Sequence, residues 1–451
     1  MKPWLRFSLG FPVALMLGAQ SAAVLASGIY ISPAGQSASS ADVGIDSHGN
    51  AFFSWTANDP VTQEEVIQLR EKTAAGVLGA PETLSRTGHD AMPAHLAVDG
   101  SGDAVVVWQI HHGDASTTTP VQARARTAGG SLGPLFTVAP HPGGPFSFDF
   151  ANPSVALDEA GNATFTWAGL DSNQKHRVYA RRRAAGATLG PVFRLSPPGV
   201  SDVRMAVNAN GATVFVWVWN DGNGHNLIEA RQLSAGGALG PIRIIGQGIE
   251  ASGGGGLGTG NPQVALDGPG NALIVWEQPD GTGPCGINGC PKVLARTLSN
   301  GGVVGSVPQT FTTTTSGGFS PLVAMGATGN AVVTWLHGGL EVRARAASGT
   351  LGPLQHFTTS TDAAELVLKG DPAGKTVAVW RNVTVIQARA RSAAGILGAP
   401  RSFSIGGQAA FGGVLAVGTS GNAIAAWGQS DGFGQCFGGT SCNRIGAAVV
   451  P

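Results

Sequence analysis

The chain has 451 residues, 43% of them hydrophobic and only 12% charged, with a formal net charge of zero. So neutral a balance speaks against a nucleic-acid partner, which would need a basic face. Gly (69) and Pro (27) are frequent, but the apolar content is too high for a disordered chain, so they read as punctuation between many short strands.

Residues 1–27 differ from the rest. "MKPWLR" carries Lys2 and Arg6, "FSLGFPVALMLGA" is an apolar run, and "VLAS" supplies small residues around Ala26. This is the order of a secretory signal peptide, with cleavage expected near Ala26. The run is shorter than the ~20 residues of a spanning helix. No second long apolar run follows. The mature chain, 28–451, is therefore expected to be exported without a membrane span, to a secreted, periplasmic or cell-surface destination.

The next feature in chain order is a repeat. "LAVDGSGDAVVVW" (96–108), "VALDEAGNATFTW" (155–167) and "VALDGPGNALIVW" (264–276) are three of eight copies, ending at Trp55, Trp108, Trp167, Trp217, Trp276, Trp335, Trp380 and Trp427. A Gly precedes each Trp by six residues. Nine before it stands Asp46, Asp99, Asp158, Asp267 or Asp371, with Asn208, Gly326 and Gly418 in the other copies. Apolar stretches flank this core, which reads as strand, tight turn and strand. The Asp accepts local backbone N–H groups, and the Gly takes positive φ. A second module, as in "VQARARTAGGSLGPLFTV" (121–138), follows in seven copies and reads as two more strands. Four strands per repeat of 45 to 59 residues is the pattern of a propeller blade. The expected fold is all-β, a single eight-bladed β-propeller of four-stranded antiparallel blades.

The eighth repeat ends at "RIGAAVVP" without a fourth strand, whereas the N-terminal "IYISPAG" (29–35) matches the fourth strands "FRLSPPG" and "FTVAPHP". Residues 29–33 are therefore expected to complete the blade of Trp427, closing the ring and removing an exposed edge.

"VALDGPGNA" resembles the strand-turn-strand core of NHL-type (VAxDxxGNA) repeats of secreted bacterial β-propellers. The likeness covers about 13 residues in each of the eight copies, and the recurrent Trp departs from it. It implies a propeller and, because such families vary widely in role, little about function.

In this strand order the DxxGN and AGxLGP turns share one face. The loops between second and third strands, and the connections between blades, share the other. Those loops vary. Trp335 to Arg343 takes 8 residues and Trp276 to Arg296 takes 20, and the connections 139–152 and 246–262 are long. Binding is expected on that variable face.

The eight Trp lie in apolar strands and are expected to wedge between blades rather than stack on sugars. Trp219, outside the repeat, is the exception and a ligand candidate. Arg70, Arg124, Arg181, Arg231, Arg296, Arg343 and Arg389 recur on third strands. They are expected to stack on the Trp, with Trp335 and Arg343 as direct cross-strand partners around a loop of Gly338 to Leu340. Asp59, Asp171, Asp221, Asp280 and Asp431, each four residues after a Trp, open the variable loops, either as Asx-turns or as a ligand-facing ring. His111, His112, Asp114, His176 and His225 lie on the same loops, but no HxxxH or HxH spacing supports a metal. GxSxG, HExxH and phosphate-cradling motifs are absent, so no cofactor, metal or catalytic residue is assigned. Cys285 with Cys290 and Cys436 with Cys442 are expected to form two local disulfides.

Three readings of function follow. The first is an exported, non-enzymatic, monomeric propeller presenting variable loops to a protein or polysaccharide. The second is a glycoside hydrolase or polysaccharide lyase using loop carboxylates. The third is a structural or adhesive envelope component.

Overall fold

Each Asp-x-x-Gly motif joins two antiparallel strands, and two further strands complete each unit. The computed structural model of the protein describes residues 25–450 apart from 60, 87, 112–119, 140–151, 187, 201, 250–258, 281–289, 314–316, 406–407 and 433–441. All regular structure there is β, and no helix long and apolar enough to cross a membrane occurs among the described residues. In blade 1 the strands are Ala38–Ile45, Ala51–Asn58, Glu65–Lys72 and Glu82–Thr83, in that spatial order. The inner strands of blades 2 to 8 begin at Asp90, Ser154, Arg204, Gly260, Phe319, Ala363 and Ala410. The fold is an eight-bladed β-propeller.

The turns explain the repeat. Asp46 accepts hydrogen bonds from His48 N (2.9 Å), Asn50 N (2.8 Å) and Asn50 Nδ2 (2.7 Å), which satisfies a buried carboxylate locally. Asn50 Oδ1 in turn accepts from Ala74 N at 3.0 Å, joining this turn to the AGxLG turn on the same face. Gly102 has φ of 95°, and a Cβ there would stand 3.1 Å from Asp46 Oδ2 of the preceding blade. Glycine is needed for both reasons.

The core lies in the seams. Trp55 packs with Val43 and Phe53 of blade 1 and with Ala426 and Ile445 of blade 8. Trp108 packs with Phe52, Ile67 and Leu84 of blade 1. The indoles are almost fully buried, Trp167 being the most accessible at 4%. Each thus fills the space towards the preceding blade, as expected of a wedge.

The ring closes as the sequence predicts. Ile29 pairs with Ala447 and Tyr30 with Gly446, antiparallel, and Ile31 N donates to Ile445 O at 2.7 Å. The Arg444 guanidinium lies 3.9 Å from the centre of the Tyr30 ring. One strand was not expected. Leu25–Ser27 runs parallel to Ser402–Ser404 and adds a fifth strand to blade 7.

The arginines depart from expectation. Trp335 pairs with Glu341 and Val333 with Arg343, because the hairpin loop is His337–Gly339 rather than Gly338–Leu340. Arg343 shares a face with Trp335 but is offset by two residues. The guanidinium does not stack on indole. Cation–π contacts among the described residues pair Arg126 with Phe52, Arg183 with Phe136 and Arg444 with Tyr30. The seven recurrent arginines turn to carbonyls instead, which give a planar fork stronger directional bonds than a ring face does. Arg181 Nε donates to Gly190 O (2.7 Å) in its own blade, and Nη1 donates to Val138 O (2.9 Å) on the outer strand of the preceding blade. Arg70, Arg124, Arg231, Arg296, Arg343 and Arg389 repeat both bonds. Blade 8 has Ala448 in this place, and that seam is joined by Gln429, whose amide exchanges hydrogen bonds with both backbone groups of Ile405.

Candidate functional site: the mouth of the axial channel

Inner strands of blades 1 to 4, 7 and 8 line an axial cavity of about 710 Å³, with residues such as Asp42, His95, Ser154 and Lys369 on its wall. Eleven residues before each Trp the inner strands carry Gly44, Ala97, Ala156, Ala206, Ala265, Ala324, Lys369 or Ala416. In blade 1 the approach is close, since a Cβ on Gly44 would stand 2.3 Å from Val98 Cγ2 of blade 2. Lys369 breaks the pattern and is exposed to the channel.

At the variable-loop end of these strands, fifteen residues before each Trp, stand Ser40, Pro93, Asn152, Asp202, Asn261, Ser320, Glu365 and Gly412. Six have positive φ: Ser40 (51°), Asn152 (39°), Asn261 (49°), Ser320 (49°), Glu365 (51°) and Gly412 (61°). In blades 1, 2, 5, 6, 7 and 8 the pairing register shifts across this residue, which marks a β-bulge. Left-handed backbone in non-glycine residues is uncommon, and it clusters where function requires a particular shape. Here five such residues and one glycine ring a single mouth, with polar side chains exposed.

Carboxylates join three neighbouring pairs of blades at this rim. Asp42 accepts from Val43 N (2.8 Å) and from Leu96 N of blade 2 (2.9 Å), with His95 Nδ1 3.7 Å away. Glu277 accepts from Asn261 Nδ2 (2.5 Å) and from Ser320 N of blade 6 (2.9 Å). Burial raises its carboxyl above the usual range, against the opposing effect of those two hydrogen bonds. Glu365 accepts from Arg381 Nε (2.7 Å) and from Gly412 N of blade 8 (2.7 Å). Phe319 and Phe411, each 37% exposed, add apolar surface at the same end of blades 6 and 8. The result is a polar rim, bonded between blades at three seams, with aromatic surface at blades 6 and 8.

The residues singled out in the sequence fare unevenly. Asp171 accepts from Asn173 N and Lys175 N and pairs with Arg177 Nε at 2.5 Å, and the Arg177 bond chiefly holds its carboxyl below the usual range. Asp221 accepts from Asn223 N (2.7 Å) and approaches His225 Nδ1 (3.1 Å), and is lowered mainly by the Asn223 bond. Asp59 is lowered by the amides of Thr62 and Val61. These three close their own loops as Asx-turns. Asp280 accepts from Cys290 N (3.0 Å) and pairs with Lys292 (3.3 Å), while Asp431 N donates to Cys442 O (2.8 Å). His111 and His176 are half-buried at strand ends. Trp219 is half-buried and donates to Pro198 O at 3.2 Å. His112, Asp114, Cys285 and Cys436 lie outside the described residues. Cys290 and Cys442 are buried, and no free cysteine occurs among the described residues. No group of three or more His, Cys, Asp or Glu able to hold a metal occurs among the described residues.

The ring of bulges escaped sequence reasoning. Its signal was Asn152-Pro153, Asn261-Pro262 and Ser320-Pro321, three dipeptides at one distance from their Trp.

No family model matches the chain, and no curated protein matches it in sequence. Solved structures do match it in shape. BP39L lectin from Burkholderia pseudomallei is 11% identical with a TM-score of 0.49, over 83% of this chain and 100% of the lectin. An α-L-arabinofuranosidase, Arb93A from Fusarium graminearum, is 9% identical with a TM-score of 0.42, over 81% and 95% of the two chains. A puromycin hydrolase is 14% identical with a TM-score of 0.44, over 87% of this chain and 58% of its own. None of the three bears on what this chain binds.

Proposed function

We propose that this protein is an exported, non-enzymatic binding propeller that takes a protein or polysaccharide ligand at the variable-loop mouth of its axial channel. The observation that supports this is the set of left-handed residues at equivalent positions of six inner strands, with carboxylate bonds joining blades 1 and 2, 5 and 6, and 7 and 8 at the same end. A preorganised rim lowers the ordering cost of binding. Asp42 and Glu365 favour the same reading, because each is engaged by two donors. The test is a glycan and cell-envelope binding screen with the mature protein. A Phe319→Ala/Asn152→Ala variant should bind at least tenfold more weakly, while Asp221→Ala should bind as wild type. Unchanged binding by the mouth variant would reject the site.

The raised carboxyl of Glu277 favours a second reading, a carbohydrate-active hydrolase with Glu277 as general acid. Release of reducing ends from a bound glycan, abolished by Glu277→Gln, would establish it instead.

A further inference from the structure

The third strands of blades 2 and 7 end in Arg126 and Arg391, at equivalent places opposite the residue four before the Trp. Both arginines are more than nine-tenths buried, at 8% and 7% exposed, and both reach back across a seam to the preceding blade. Blade 1 neutralises Arg126, whose Nε donates to Glu82 Oε1 (3.0 Å) and Nη2 to Glu71 Oε2 (2.9 Å). Blade 6 offers Arg391 neither carboxylate. Gln355 stands at the place of Glu82 and accepts from Arg391 Nε at 3.0 Å. Ala344 stands at the place of Glu71. Among the described residues, Nη1 and Nη2 of Arg391 have no acceptor and no carboxylate pairs with it. Burial pushes this guanidinium below its ordinary value.

The shortened side chain leaves room. A cleft of about 380 Å³ opens between blades 6 and 7 on the turn face, with Val332, Ala344, Leu351, Arg391 and Ala393 among its walls. That volume is within the ~300–1,000 Å³ of small-molecule sites. The Ala393 amide adds a second donor. Its counterpart Ala347 N donates to Asn330 Oδ1 at 3.0 Å, and blades 1, 2, 3 and 5 repeat that bond. Blade 7 has Lys375 in place of the Asn, and its ammonium turns to Gly421 O of blade 8 at 2.6 Å. Ala393 N is thereby left without that acceptor.

We propose that this cleft binds a small carboxylate with an apolar body, with Arg391 and the Ala393 amide as donors and Val332, Ala344 and Leu351 as walls. A buried guanidinium without a counter-charge is costly, and charge-assisted bonds to a carboxylate relieve that cost. The seam between blades 1 and 2 supplies the template, because Glu71 satisfies the equivalent guanidinium there. The site lies on the face opposite the channel mouth and is independent of it.

The test is calorimetric titration of the purified protein with sodium benzoate at constant ionic strength. Binding should be saturable and at least tenfold weaker in Arg391→Gln. Sodium sulfate and sodium galacturonate should each bind more weakly than benzoate. Ala344→Glu, which restores the carboxylate of blade 1, should abolish binding and raise the thermal midpoint above that of Ala344→Gln. This comparison needs neither a bound ligand nor a folded Arg391 variant. Absence of saturable benzoate binding, or benzoate affinity unchanged in both the Arg391 and Ala344→Glu variants, would overturn the site. Sulfate or galacturonate binding as tightly as benzoate would overturn the ligand class. Equal midpoints for Ala344→Glu and Ala344→Gln would show that Arg391 lacks no counter-charge, which also overturns it.

Discussion

Arg343 Nη1 donates to the carbonyl of Phe311 at 3.2 Å, across the seam between blades 6 and 5. Its Nε binds Gly352 in its own blade at 2.8 Å, so one planar group ties two outer strands together. Replacing Arg343 with Met should cost about 1–3 kcal/mol, since two carbonyls lose a charged donor. Lys should not rescue it, because a single ammonium cannot reproduce the fork. Denaturation midpoints of the three proteins check this, and a Lys variant as stable as wild type would refute it.

Trp335 is fully buried, and its Nε1 donates to Glu341 Oε2 at 2.7 Å. Trp335→Ala should lower stability by about 3–5 kcal/mol through the cavity it leaves. If the proposed mouth binds a ligand, that binding should survive wherever the variant is still folded. Parallel measurements of unfolding and binding separate scaffold from site.

The surroundings of Glu229 set the sign of a pH dependence in stability. Burial raises its carboxyl above the ordinary value, opposed by the hydrogen bond from Trp217 Nε1 at 2.8 Å. The folded state therefore holds this proton more tightly than the unfolded chain does. The stability contributed by Glu229 is complete below the ordinary glutamate range and declines as pH rises through the raised value. Glu229→Gln keeps an acceptor for Trp217 and removes the titration. It should gain stability relative to wild type at neutral pH and lose that advantage in acid. Urea midpoints measured across pH would show it, and a constant difference would not fit.

The cysteine pairs should form Cys285–Cys290 and Cys436–Cys442 in the protein purified without reductant. Such short loops gain little from cross-linking, about 2 kcal/mol in the chain-entropy model. Peptide mapping without reductant should find both bonds, and thiol labelling of the native protein would contradict them.

Ser32 Oγ accepts from Ile445 N at 2.9 Å, and Ser32 O accepts from Arg444 Nη2 at 2.7 Å. Ser32→Ala should cost about 1–2 kcal/mol at this clasp. Deleting residues 28–33 should do far more, because blade 8 would lose a whole strand. Thermal unfolding of both variants gives the comparison.

The blades were legible because Trp, Gly and Asp each answer a local demand, namely a seam to fill, a positive φ and orphan amides. Ring closure was legible for a similar reason, since "IYISPAG" repeats a pattern missing from the last blade. The arginines were misread because their partners, such as Val138 for Arg181, lie 43 residues away on a neighbouring blade. Nothing beside Arg181 in the sequence marks that carbonyl. The mouth was hidden in the same way. Ser320 looks like an ordinary polar residue until Glu277, from another blade, is seen to hold its amide. Parallel pairing of Leu25–Ser27 with blade 7 has no local signature at all.

The pairing of Ile29 and Tyr30 with Ala447 and Gly446 also orders events in time. A ribosome delivers the first strand long before its partner, so Ile29 and Tyr30 must wait for almost the entire chain. Until then every earlier blade belongs to an open arc, and a chaperone would meet that arc rather than a finished circle. Completion comes as one late, long-range event, and a chain that stalls before residue 443 would carry an unlatched first strand.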